Sequence, residues 1–293
     1  MKKTVVSGMA AVMAGILILL FLTVPCAAAD PNAGMPGMRR EKVDLYAGKL
    51  MNALTKDRLG LLMAMPVKFY FAGASFQKSV LAPVDRVAEY ESGEARRLMS
   101  ALYFTDGAYS QLCRKKKLAA GYFDAWNELT ESFVTLFSPE LKADLFDTTK
   151  TVLAKYRKVS PEKLRDLMAE VVARGNTQLV TSSLGIEVVV DGFYASLIEV
   201  MYLSSSMIIP LDEDTKLVPR FKKAAREQMM VADDVVTAMA DDPEFADICN
   251  IPERRKVIAS LKAILDRETF KMADVSEVHG IIQPIRRSII DMK

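Results

Sequence analysis

Ser160-Pro161-Glu162-Lys163-Leu164-Arg165-Asp166-Leu167-Met168-Ala169-Glu170-Val171-Val172 holds in 13 residues both signals that decide the fold. Leu164, Leu167, Met168, Val171 and Val172 fall at i, i+3, i+4, i+7 and i+8, which lays one apolar stripe along a helix. The stripe opens with a helix start. Ser160 can cap free backbone N–H groups, Pro161 needs no N–H in a first turn, and Glu162 complements the positive end of the helix dipole.

Pro-Glu recurs at 139–140, 243–244 and 252–253, and Ser138 and Asp242 stand ready to cap two of those starts. Val257, Ile258, Leu261, Ile264 and Leu265 repeat the stripe, and a longer one runs through Phe221, Ala225, Met229, Ala232, Val236 and Met239. Period-2 alternation is scarce and Asn-Gly hairpin turns are missing, so the expected class is all-α, a multi-helix bundle.

Residues 179–209 are apolar on most sides and hold three valines in a row, Val188 to Val190. Because the pattern continues through Tyr202, a helix through the middle of the bundle is expected rather than a buried strand. Glu187, Asp191 and Glu199 argue against a membrane span there, since each charge is costly in lipid. Pro210 and Pro219 bracket an acidic loop, which places any internal boundary near 210–219.

The N-terminus reads as a secretory signal: Lys2 and Lys3, an uncharged run from Thr4 to Val24, then Ala27-Ala28-Ala29. Expected organisation is therefore a signal peptide over 1–29, a flexible tether over 30–39 and an α-helical domain over 40–293, in a periplasmic or secreted protein. The 21-residue run is also long enough to span a bilayer, so a retained membrane anchor stays open, as does acylation of Cys26.

Cleavage changes the chemistry of what remains. Taking Lys2 and Lys3 from 39 basic residues leaves 37 against 37 acidic ones, and a neutral chain offers nucleic acid no electrostatic attraction. The run Arg114-Lys115-Lys116-Lys117 is read as the solvated end of a helix. Cys113 and Cys249 remain, as a disulfide in an oxidising compartment or as two buried thiols.

Catalytic signatures are few. A single histidine, His279, rules out a His-rich zinc site, and its place before Gly280 suggests a helix end. No Walker loop, G-x-S-x-G elbow or C-x-x-C-H is present, no cofactor or metal is implied, and Asp212 to Asp214 lack the glycine and glutamate of an EF-hand loop. The candidate ligand-binding residues are Glu187 and Asp191, one turn apart on one face, with Glu199 close to that face, and Trp126 in the aromatic run Tyr122, Phe123, Trp126, Phe133 and Phe137.

Three functions are compatible with these residues. The first is a non-enzymatic binding or interaction protein of the cell envelope, with a hydrophobic groove between helices for an apolar small molecule or a partner protein. The second is an enzyme or metal site built on Glu187, Asp191 and Glu199. The third is a membrane-anchored structural protein that keeps residues 1–29. Fourteen methionines outside the signal (17 less Met1, Met9 and Met13) supply the adaptable side chains a groove uses.

Overall fold

A computed structural model describes residues 40–134, 161–213 and 215–293. The expected signal peptide and tether, Cys26, Phe137, Pro139-Glu140, Ser160 and Asp214 lie outside the described residues, as does the side chain of Phe133. Ten α-helices are described: α1 (Arg40–Ala53), α2 (Lys56–Phe71), α3 (Gly93–Leu112), α4 (Lys116–Val134), α5 (Pro161–Leu179), α6 (Ser183–Ile208), α7 (Leu217–Ala240), α8 (Pro243–Ile248), α9 (Ile251–Leu265) and α10 (Met272–Ile290). Among the described residues there is no strand, and no helix is long and apolar enough to cross a membrane.

The centre of the bundle is α6. It starts where Ser182 Oγ accepts from the Gly185 N–H at 3.1 Å, and it buries residues around its whole circumference, from Ile186 and Val190 to Leu203 and Met207. Helices α1, α2, α3, α5, α7 and α10 pack around it. The three valines are helical because tertiary burial outweighs their β preference. The loop bounded by Pro210 joins α6 to α7, and those two helices also pack against each other.

Two expected starts are built as read. Pro161 opens α5, and Asp242 caps α8 by accepting from the Glu244 and Phe245 N–H groups at 2.9 and 3.3 Å. At α9 the cap differs: Asn250 sits in the left-handed region at φ 48° and makes no side-chain cap. Two local expectations need correction. Arg114 at φ 64° and Lys115 form the turn after α3, but Lys116 and Lys117 open α4 at its positive end, so only half the basic run offsets a helix C-terminus. His279 does not end a helix. It lies in the middle of α10, which runs through Gly280 because Ile282 and Ile289 continue the face buried against the bundle.

Between α2 and α3, residues 72–92 carry two short 3-10 turns, Lys78–Val80 and Val84–Glu89. Side chains of the bundle hold this connection by its backbone. Arg286 donates to Val80 O at 2.9 Å, Tyr122 to Ala82 O at 2.7 Å and Tyr103 to Pro83 O at 2.7 Å, while Asp106 accepts from Ala82 N at 2.7 Å.

Candidate functional site

The three acids of α6 separate into two buried networks. In the first, Arg97 of α3 lies between Glu187 and Asp191, with Nε donating to Asp191 at 2.8 Å and Nη2 bound to Glu187. Arg254 of α9 binds the other oxygen of Asp191, and its guanidinium stands 4.7 Å from the centre of the Tyr194 ring. Two carboxylates therefore face two guanidiniums, and the formal charges of the cluster cancel. Burial pushes Glu187 above the ordinary carboxylate range, Arg97 opposing and Asp191 adding to the shift.

Glu199 is not brought to that cluster. It is fully buried two turns further along α6, where Arg286 of α10 binds both of its oxygens. Arg286 also lies 4.1 Å from the centre of the Tyr202 ring. Beside this pair sits Asp106 of α3, completely buried, its Oδ1 without a hydrogen-bond partner. Burial drives Asp106 well above the ordinary range, the Glu199 charge adds to that, and Arg286 opposes it. The proton that Asp106 keeps can be shared with Glu199, so this network is a fastener for the 72–92 connection and the two helices α6 and α10.

Next to the first network a cavity of about 140 Å³ opens between α2, α3, α4, α5 and α6. Its walls are mainly apolar, with Leu59, Phe104, Trp126, Val171, Leu179, Val188 and Phe193 among them. Trp126 and Phe104 meet at 5.3 Å between ring centres. Polar groups are few: Arg97 from the charge cluster, Ser100, Thr130, Asn176 and Ser196. A larger cleft of about 620 Å³ between α2, α5 and α7 is rimmed by charges such as Lys68, Arg220 and Lys223.

Gly192 of α6 also lines the cavity. It is half-buried, and a methyl group placed on it would meet nothing within 4 Å. Gly107 of α3 shows the contrasting case, since a Cβ there would lie 3.0 Å from the Phe123 ring. At Gly107 close packing explains the missing side chain. At Gly192 no neighbour does, although a mid-helix glycine costs about 0.5–1 kcal/mol relative to alanine. What the residue preserves is the empty space above it.

Of the residues singled out from the sequence, Glu187 and Asp191 are together, Trp126 lines the cavity, and Glu199 belongs elsewhere. Cys113 and Cys249 are free, buried thiols, each pushed up to about 12 by burial. Among the described residues no group of three or more His, Cys, Asp or Glu side chains could hold a metal ion. Missed in the sequence were Arg97, Asp106, Thr130, Gly192, Arg254 and Arg286. For Gly192 alone a local signal existed, a glycine in the middle of an otherwise unbroken apolar helix. Comparison with protein-family models, with curated proteins and with solved structures finds no significant match to this chain.

Proposed function

We propose that the chain is an exported, non-enzymatic binding protein of the cell envelope that holds a small, mainly apolar molecule in the cavity between α2, α3, α4, α5 and α6. The observation that carries this reading is Gly192, which leaves space over the central helix at a cost in helix stability. The space of about 140 Å³ is partly open, and a cavity on the order of 150 Å³ admits one benzene-sized ring. The state of the acids favours binding over catalysis. Each candidate carboxylate is committed to an arginine, which leaves none poised to exchange protons with a ligand.

Trp126, the one tryptophan of the chain, lies in the cavity wall and reports on its contents. Toluene is expected to shift Trp126 emission and raise the melting temperature of the protein. Gly192→Leu, whose side chain would occupy the space, is expected to remain helical and lose both responses. An unchanged toluene response in Gly192→Leu, or no response in the parent protein, would sink the proposal. The export component predicts a mature N-terminus at Asp30 in protein recovered from the cell envelope; recovery of an intact Met1 there would refute it.

A further inference from the structure

The larger cleft between α2, α5 and α7 joins an apolar floor to a rim whose charges do not cancel. Ala64, Val67, Lys68 and Phe71 fall at i, i+3, i+4 and i+7, so one face of α2 supplies both floor and rim. Arg220, Lys223, Ala224 and Glu227 repeat that spacing on α7, and Leu112 adds to the floor from the end of α3. Phe71 is 54% exposed, the one aromatic side chain left exposed among the described residues. Tyr70 holds it edge-on, 5.3 Å away between ring centres. Apolar surface kept open inside a groove is the mark of a binding face.

Charge sets the second constraint. Lys68, Arg220 and Lys223 form no ion pair with any described residue, whereas Arg165, also in the lining, is bound to Asp166 at 2.8 Å. Setting Arg165 against Asp166 leaves these three cations facing two carboxylates, Glu162 and Glu227, which is one net positive charge. A single anionic group closes that balance, and a cation worsens it. A small anion alone would make only exposed charge contacts, which are worth little in water. An apolar chain attached to it supplies the rest, by covering the floor.

We infer that this cleft binds a free single-chain amphiphile with one anionic head, of the long-chain carboxylate class. The head lies at Lys68, Arg220 and Lys223, and the chain lies along Val67, Phe71, Leu112 and Ala224. The floor is concave, which suits one inserted chain better than the plane of a bilayer.

Dodecanoate, dodecylammonium and acetate separate head from chain, measured by calorimetry at neutral pH below the concentration at which micelles form. Dodecanoate is expected to bind at least about tenfold more tightly than either of the others. Arg220→Glu combined with Lys223→Glu reverses two exposed charges near the positive end of the α7 dipole, where acids suit the helix. That variant should keep its melting temperature and weaken dodecanoate at least about tenfold. Phe71→Ser should weaken it about fivefold, and Gly192→Leu, which fills the other cavity, should leave it unchanged. Failure of dodecanoate to bind, equal binding of dodecylammonium or acetate, unchanged affinity in the reversed variant, or loss in Gly192→Leu overturns the inference. Sedimentation with phosphatidylglycerol vesicles that the reversed variant abolishes would assign the face to a membrane and overturn the free ligand. Toluene reads the cavity and dodecanoate reads this cleft, so either proposal can fail without the other.

Discussion

Arg286 grips Glu199 through two parallel hydrogen bonds, Nε to Oε2 at 2.5 Å and Nη2 to Oε1 at 2.9 Å, with the carboxylate wholly sealed from water. The consequences of breaking this pair differ on its two sides, because Asp106 is next to it. Arg286→Met leaves Glu199 with no counter-ion and should cost about 3–5 kcal/mol in urea unfolding. Glu199→Gln removes the charge that adds to burial in keeping Asp106 protonated and leaves Arg286 unpaired, so Asp106 can ionise and replace Glu199 beside Arg286. Glu199→Gln should therefore cost at least about 1 kcal/mol less than Arg286→Met, and adding Asp106→Asn should restore the full loss. Equal losses in the two single variants would rule out this substitution of one acid for the other.

The same aspartate gives stability a pH dependence of known sign. Its folded pKa lies above its unfolded value, so between the two the native protein holds a proton that the unfolded chain has released. Stability from this group is present below the ordinary carboxylate range, near about pH 4, and is lost as pH rises from there through the folded pKa. Asp106→Asn keeps a polar partner for Ala82 and Glu199 without a titrating proton. The melting temperature of the variant should gain on that of the parent as pH rises above about pH 4. Asp242 and Asp274, both held low despite burial by hydrogen bonds to their charged form, slope the other way in both proteins and cancel in the comparison. A difference that is flat with pH would show that Asp106 titrates normally.

Two glycine-to-alanine changes should move stability in opposite directions. Gly192→Ala adds a methyl group over open space and removes the mid-helix glycine, for a gain of about 0.5–1 kcal/mol. Gly107→Ala sets a methyl 3.0 Å from the Phe123 ring and should cost about 1–3 kcal/mol, as overpacking does. Thermal melts of the pair decide this. A destabilised Gly192→Ala would mean that the space over α6 is not open.

Neither thiol should react while the protein is folded. Cys113 and Cys249 are buried at 1% and 0% exposure, and burial holds both near about 12, so thiolate is scarce as well as inaccessible. Iodoacetamide without reductant is expected to add nothing to native protein and two groups to denatured protein, read by intact mass. A denatured protein that takes up none would show that the two sulfurs are joined.

The acids of α6 were legible in the sequence because their spacing on one helix is local: Glu187 and Asp191 are four residues apart and do share a face. Their partners were not. Arg97 lies 90 residues from Glu187, Arg254 lies 63 from Asp191 and Arg286 lies 87 from Glu199, and nothing in a helical stripe says which distant cation will meet which acid. The all-α class and the central position of α6 were readable for the same reason, as apolar periodicity is a property of one segment. The cavity depends on five helices at once. His279 was misjudged because glycine usually follows a helix, whereas the buried isoleucines beyond Gly280 hold the backbone helical.

All the ionic side chains of α6 are acidic, and every guanidinium that neutralises them belongs to another helix. Two of those three helices, α9 and α10, come after α6 in the sequence. A polypeptide that has reached only α8 holds three carboxylates along its most apolar segment and only Arg97 to meet them. One that stops before residue 286 still lacks the partner of Glu199. Closure of the middle of the bundle thus waits on α9 and α10, which follow α6 in the sequence.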